Sequence, residues 1–119
     1  MEHIVVKVPT ARAFRPVLRL VVGGVGSRCG LPFDRVDELQ AAIGAVLDQR
    51  VAAGATIELE AAIGEAELVV ALGPFVVADD RAGRRVTAVL VDRVGTVDRD
   101  GLEWVELAVA MPIATRAGA

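Results

Sequence analysis

LRLVVGGVGSRCGLPFDRVDELQAAIGAVLDQRV, Leu18 to Val51, decides the fold. Leu18, Val21, Val22 and Val25 recur at helical spacing, predicting a helix from about Arg15 to Ser27. Pro16 falls in its first turn, where the missing N–H is harmless. Gly23, Gly24 and Gly26 weaken this helix by roughly 1 kcal/mol each relative to Ala, so they predict close backbone packing or a bend. A stronger period follows. Val36, Leu39, Ile43, Val46 and Leu47 mark one face of a helix predicted over Asp34 to Ala53. Asp34 is its expected N-cap, Asp37 and Glu38 favour the first turn, and Gly54 is placed for a left-handed C-terminal cap.

Outside this stretch the period changes to two. HIVVKVP (His3 to Pro9) reads as a first strand. Ile57, Leu59 and Ala61 alternate with Thr56, Glu58 and Glu60, the pattern of a half-solvated strand. Gly64-Glu65 predicts a tight turn of the Gly-first kind, and ELVVALGPF (Glu67 to Phe75) is apolar on both faces, as a central strand under helices should be. Asp79 to Gly83 is a polar loop. The β-branched residues of VTAVLVDRV (Val86 to Val94) favour a strand, but Val86, Leu90 and Val94 are spaced for a helix, and with Gly95 placed as its cap a helix is expected. Thr96 to Pro112 reads as a hairpin about a type I′ turn at Asp100-Gly101, with Val105, Leu107, Val109 and Met111 facing inward. Residues 113–119 read as a frayed tail. The order strand, helix, helix, hairpin, helix, hairpin predicts a single α+β domain over 1–119, a two-layer sandwich of mostly antiparallel sheet covered by helices.

Composition excludes several functions. The chain is 54% apolar but only 3% aromatic, so the core must come from Val, Leu, Ile and Ala. A net charge of −3 gives no basic footprint for general nucleic-acid binding. One cysteine, Cys29, and one histidine, His3, supply neither a disulfide framework nor a Cys/His metal site; Cys29 reads as a small core residue. With no signal-peptide core and no apolar run of ~18 residues, a soluble cytoplasmic protein without membrane partners is expected. The glycines of VVGGVGSRCG (Val21 to Gly30) mimic a dinucleotide fingerprint, but Leu31-Pro32 and a helix follow where a second strand is needed.

The quoted stretch resembles the helical front end of small ATP-binding serine kinases of the anti-sigma-factor type, which have the GHKL (Bergerat) fold. In actinobacterial members the second helix reads DDLQLAVDEALANV or close to it. The resemblance covers nearly the whole chain, and it implies that the family's Asp-Glu pair falls on Gly44 and Ala45 and its Mg²⁺-binding Asn on Gln49. Ala45 cannot take a proton as the general base does, and Gln49 is one methylene too long for the octahedral geometry Mg²⁺ demands. The family's Asp-x-Gly-x-Gly, whose Asp reads adenine, falls on ALGPF, with Ala71 and Leu72 in place of the acid and only Gly73 kept. AGRRVTAVLVDRV (Ala82 to Val94) resembles the family's GRGLFLVRALADRV-like stretch; Gly83 is kept, but the second glycine is Arg85, which fills space that glycine leaves open.

What the resemblance implies is a pseudokinase: a non-catalytic regulator with a degraded ATP site, no catalytic residue, no metal and no cofactor. It would bind a sigma factor or a STAS-type anti-anti-sigma partner, with homodimerisation as a further expectation. The partner surface is expected on the first two helices, with Arg19, Arg28, Arg35 and Glu38. The alternative is an active ATP-dependent serine kinase that binds Mg-ATP weakly through Gln49, Arg84 and Arg85; a third reading is a self-associating structural module. Arg81, Arg84 and Arg85 read as a solvated lid, or as a contact for an acidic partner. Trp104, on the face opposite Val105 and Leu107, is expected to pack under a helix, the alternative being a partner hot spot.

Overall fold

A computed structural model describes residues 2–77 and 90–112. Five strands, β1 (Glu2–Pro9), β2 (Thr56–Ile63), β3 (Glu67–Phe75), β4 (Arg93–Arg99) and β5 (Leu102–Ala110), form one sheet in the order β1-β2-β3-β5-β4. Every neighbouring pair is antiparallel. Helices α1 (Arg15–Arg28) and α2 (Phe33–Gln49) cover one face. The result is a small α+β domain with an antiparallel sheet, as expected, and β3 holds the central position.

The core lies between helices and sheet. Leu18, Val22 and Val25 of α1 and Leu39, Ile43, Val46 and Leu47 of α2 meet Leu59, Leu68, Val70, Leu72, Val105, Leu107 and Val109. Burying a side chain of this size is worth about 1.5–3 kcal/mol, so the apolar layer supplies most of the driving force. The glycines of α1 serve the helix pair. A methyl group on Gly23 would strike Gln40, whose Nε2 donates to the Arg19 carbonyl at 3.0 Å. One on Gly26 would meet Leu31 and Val36 at 3.3 Å. Gly30 (φ 79°) ends α1 in a left-handed turn, where Gly30 N–H donates to the Ser27 carbonyl and Leu31 N–H to that of Gly26.

Five local expectations are corrected. First, α2 starts at Phe33 with Pro32 at the N-cap, and Asp34 sits in the first turn with no side-chain cap bond. Second, α2 ends at Gln49, short of Ala53, because Arg50 turns to an extended conformation (φ −121°, ψ 152°). That turn starts a pairing in which Ala53 N–H donates to Pro74 and Val76 N–H to Val51, so Gly54 is no cap and has no positive φ. Third, the β2–β3 loop, closed by Gly64 N–H donating to Glu67 at 3.0 Å, lacks the positive φ that a Gly-first turn needs at Gly64.

Fourth, the helix expected over Val86 to Val94 fails at its C-terminal end. Leu90 is helical, but Val91 and Asp92 bend and Arg93 and Val94 open β4, paired with Ala108 and Leu107. Gly95 lies inside that strand; its residues 86–89 lie outside the described ones. Fifth, Trp104 is buried (7% exposed) on the face without helices among the described residues. The β4–β5 hairpin turns at Asp100 (φ 56°) and Gly101 (φ 79°), the paired positive angles of a type I′ turn. Asp79 to Gly83, Arg84, Arg85 and the 113–119 tail lie outside the described residues.

Candidate functional site

Of the residues expected at a nucleotide site, Ala45, Gln49, Leu72 and Gly73 lie among the described residues. Leu72 points into the helix-facing core and is 0% exposed. Gly73, its chain neighbour, points to the other face, where a methyl group would overlap the indole of Trp104. Both residues are consumed by packing: the missing side chain at Gly73 seats a tryptophan. Strand alternation makes this unavoidable, since successive residues serve opposite faces. Gly83 and Arg85 lie outside the described residues.

Ala45 and Gln49 lie on a flank of α2 turned away from α1. At about 100° per residue they share it with Arg35, Glu38 and Ala42, whereas Gln40, Gly44 and Asp48 line the flank towards α1. Gln49 is exposed at the helix end and Ala45 is half-buried. Arg35 does not reach outward freely: it donates to Glu38 Oε2 at 3.0 Å and to Asp92 Oδ1 at 2.9 Å. Asp92 also accepts from Ala110 N–H at 2.6 Å, so Arg35 ties α2 to the β4–β5 end of the sheet. Two of the four expected partner residues, Arg35 and Glu38, therefore carry an internal bridge.

Arg19 has a different setting. It lies at the middle of the solvent face of the helix pair, beside a cleft of ≈ 340 Å³ lined by Arg12, Arg15, Pro16, Arg19, Gly44, Leu47 and Asp48. A second shallow cleft of ≈ 360 Å³ adjoins it, lined by Arg19, Asp37, Gln40 and Ala41. Gly44 forms part of the floor, with Arg19 Nη1 3.8 Å from where its Cβ would stand. Arg15 pairs with Asp48 at 2.9 Å, while Arg12 and Arg19 have no ion pair among the described residues. Arg28 is exposed near the end of α1 and does not join this cleft. Arg12 and Arg15 were legible as part of it, because 12, 15 and 19 share one helical stripe; the cleft depends on the α1–α2 pairing as well.

Beneath the end of α2 there is almost no room. The hollow bounded by Val8, Leu47, Arg50, Ala52, Ile57 and Phe75 holds ≈ 20 Å³, space for about one water. Arg50 and Glu103, each 8% exposed, form an ion pair there that joins the exit of α2 to β5. No sequence signal marks this pair, since its partners are far apart and neither lies in a motif.

The open sheet face is a polar and aromatic layer. Arg99 lies 4.1 Å over the Trp104 ring and donates to both carboxyl oxygens of Glu60, at 3.2 and 3.1 Å. These hydrogen bonds hold the Glu60 carboxyl below its ordinary pKa. Its neighbour Glu58 is raised, first by burial and then by sharing a hydrogen bond and negative charge with Glu60, against the pull of Lys7 at 3.9 Å. Burial, and then the Glu2 charge, pushes the Cys29 thiol up, so it stays a neutral core group rather than a nucleophile. Among the described residues no three His, Cys, Asp or Glu side chains are grouped to hold a metal, and no helix is long and apolar enough to cross a membrane.

Compared with known families and with characterised proteins, the chain matches no family and no individual protein.

Proposed function

We propose that this domain is a non-catalytic regulator that works by binding a protein partner through the solvent face of α1 and α2. The partner class, a sigma factor or a STAS-type protein, rests on the resemblance to anti-sigma-factor kinases given above. One observation carries the reading. Two hollows large enough for a side chain lie on that helical face, with Arg12, Arg15 and Arg19 among their lining, while Leu72 and Gly73 are spent on the core and on Trp104. The residues present do not suit ATP with Mg²⁺: Ala45 offers no base, Gln49 no well-placed metal ligand, and Leu72 no acceptor for adenine.

The order strand, helix, helix and hairpin, closing with a second hairpin, supports the scaffold part of the reading. Arginines on a rim speed association and select an acidic partner more than they add affinity. The test is binding of the purified chain to the sigma factors and STAS proteins of its own cell, comparing wild type with Arg12→Glu/Arg19→Glu. These side chains have no ion pair among the described residues, so the double reversal leaves the fold intact and weakens binding at least tenfold. Equal binding by both forms, or none by wild type, overturns the proposal.

A further inference from the structure

We propose that the seam between α1 and α2 is a groove for an amphipathic α-helix of the partner, laid along both helices. This deepens the partner-binding reading above and rests on it. The two helices run antiparallel in a constant register. Arg15 meets Asp48, Arg19 lies beside Gly44, Gly23 beside Gln40, and Gly26 beside Val36. Each step along α1 is matched by an equal step back along α2, so the seam stays straight for about three turns. The two clefts of ≈ 340 and ≈ 360 Å³ lie on this seam and share Arg19, which makes them one trough.

Its walls are two helical stripes. At about 100° per residue, Leu20, Gly23 and Ser27 form the α1 side, and Phe33, Asp37, Ala41 and Gly44 the α2 side. Ala41 and Gly44 keep the middle low, so a partner backbone can come close. Leu20 (72% exposed) and Phe33 (87%) are the two most exposed large apolar side chains among the described residues, and both stand on this trough. By the register above, Leu20 is level with residue 43, ten residues along α2 from Phe33. The two anchors are therefore about 15 Å apart along the axis, nearly three turns of helix.

Charge and spacing select the occupant. Arg19 and Asp37 both line the second cleft, and neither has an ion pair among the described residues. Arg19 is level with Gly44, so the two opposite charges are separated along the groove by about seven residues' rise, ~10 Å. A helix carries residues seven apart on one face, and an acidic and a basic residue at that spacing meet Arg19 and Asp37 together. An extended segment covers ~10 Å in about three residues, which turns the two side chains to opposite faces. The apolar stripe between them would cover Leu20 and Phe33, as in other helix-in-groove complexes.

Fluorescence anisotropy with the full chain tests this. The probe is a labelled, side-chain-stapled helix of about 15 residues with a leucine stripe and one Glu and one Lys about seven positions apart. Saturable binding is expected. It should weaken at least tenfold when the same leucines are scattered around the helix, and at least tenfold with Gly44→Leu, which fills the trough. A Cβ on Gly44 meets nothing nearer than 3.8 Å and leucine favours helix over glycine, so the melting temperature should not fall. Leu20→Lys, on a side chain already in solvent, should give the same loss.

Gly44→Leu leaves Arg12 and Arg19 in place, so the two readings can fail separately. A cellular partner that binds Gly44→Leu as tightly as wild type, yet is lost with Arg12→Glu/Arg19→Glu, keeps the surface reading and overturns the helix. No saturable binding of the probe, equal binding of the scattered peptide, or binding untouched by Gly44→Leu and Leu20→Lys also overturns it. So does a wild type that sediments as a dimer and becomes monomeric with Gly44→Leu, since a second copy would then fill the trough.

Discussion

Leu72 and Gly73 are chain neighbours on β3, yet they belong to two faces of the sheet with different physics. On the helix side Leu72 is one of a layer of aliphatic groups from which water is excluded, and the charges described there, Arg50 and Glu103, are paired with each other. On the open side Gly73 lies beneath Trp104, which is itself covered by Arg99 reaching to Glu60. The first face is held by area, the second by one fitted contact and a short chain of charges. A stretch that would have to serve a single nucleotide pocket is divided between these two tasks. This division, more than the absence of any one side chain, is what favours the proposed binding module over a kinase.

The largest effect separating the faces should come from the buried pair. Glu103→Ala deprives Arg50 of its carboxylate in a nearly dry site and should lower unfolding free energy by about 3–5 kcal/mol, read by chemical denaturation. Replacing both members by Met and Leu should recover most of that loss, as apolar substitutes of similar volume do. If the single and double replacements lose equally, the pair is not what holds the exit of α2.

A smaller effect is expected on the open face. Gly73→Ala forces the Trp104 ring to move and should cost about 1–3 kcal/mol, the usual range for overpacking. Trp104 is the chain's only tryptophan, so its fluorescence reports the displacement directly. A red shift with a lowered melting temperature supports the seat; an unchanged spectrum would mean that the glycine serves some other need.

The smallest effect sharpens the electrostatic side of the comparison. Glu60, with its pKa depressed, contributes stability that is present above the unfolded carboxylate value of about 4.3 and is lost as pH falls through its folded value. Glu58, with its pKa raised, acts oppositely: its contribution is present below about 4.3 and lost as pH rises through its folded value. Glu58→Gln should therefore raise the melting temperature slightly at pH 7 and leave it unchanged at pH 3. Glu60→Gln should lower it at pH 7, with the difference vanishing on acidification. Parallel pH profiles for both variants and wild type would contradict the assignment.

How much of this was legible depended on whether the cause was local. The faces of α1 and α2, the alternation of β2, the central place of β3 and the Asp100-Gly101 turn are written in short periods and turn chemistry, and the structure keeps them. The start of β4 was not, because Val86, Leu90 and Val94 suit helix or strand alike and pairing with β5 decides the matter. The end of α2 escaped for the same reason: residues 51–53 bond to 74–76, which overrides the pull of Gly54. At the candidate site, Arg19 and Arg35 were both singled out in the sequence, but the bridge that Arg35 makes was not visible there. Its carboxylate at Asp92 lies 57 positions away, beyond any local signal. The seating of Trp104 on Gly73 depends on a register with a bulge between Leu72 and Phe75, which no spacing rule encodes.

The most direct test of the proposed reading, in which the positions that would serve a nucleotide in a kinase are used for packing, is calorimetric titration of the full chain with Mg-ATP. The account predicts no saturable heat up to millimolar nucleotide, and no rise in melting temperature where ligand at 100 times its Kd would add about 2.7 kcal/mol. A saturable heat accompanied by a shift in melting temperature, and weakened by Gln49→Ala or Arg85→Ala, would contradict it and restore the kinase reading.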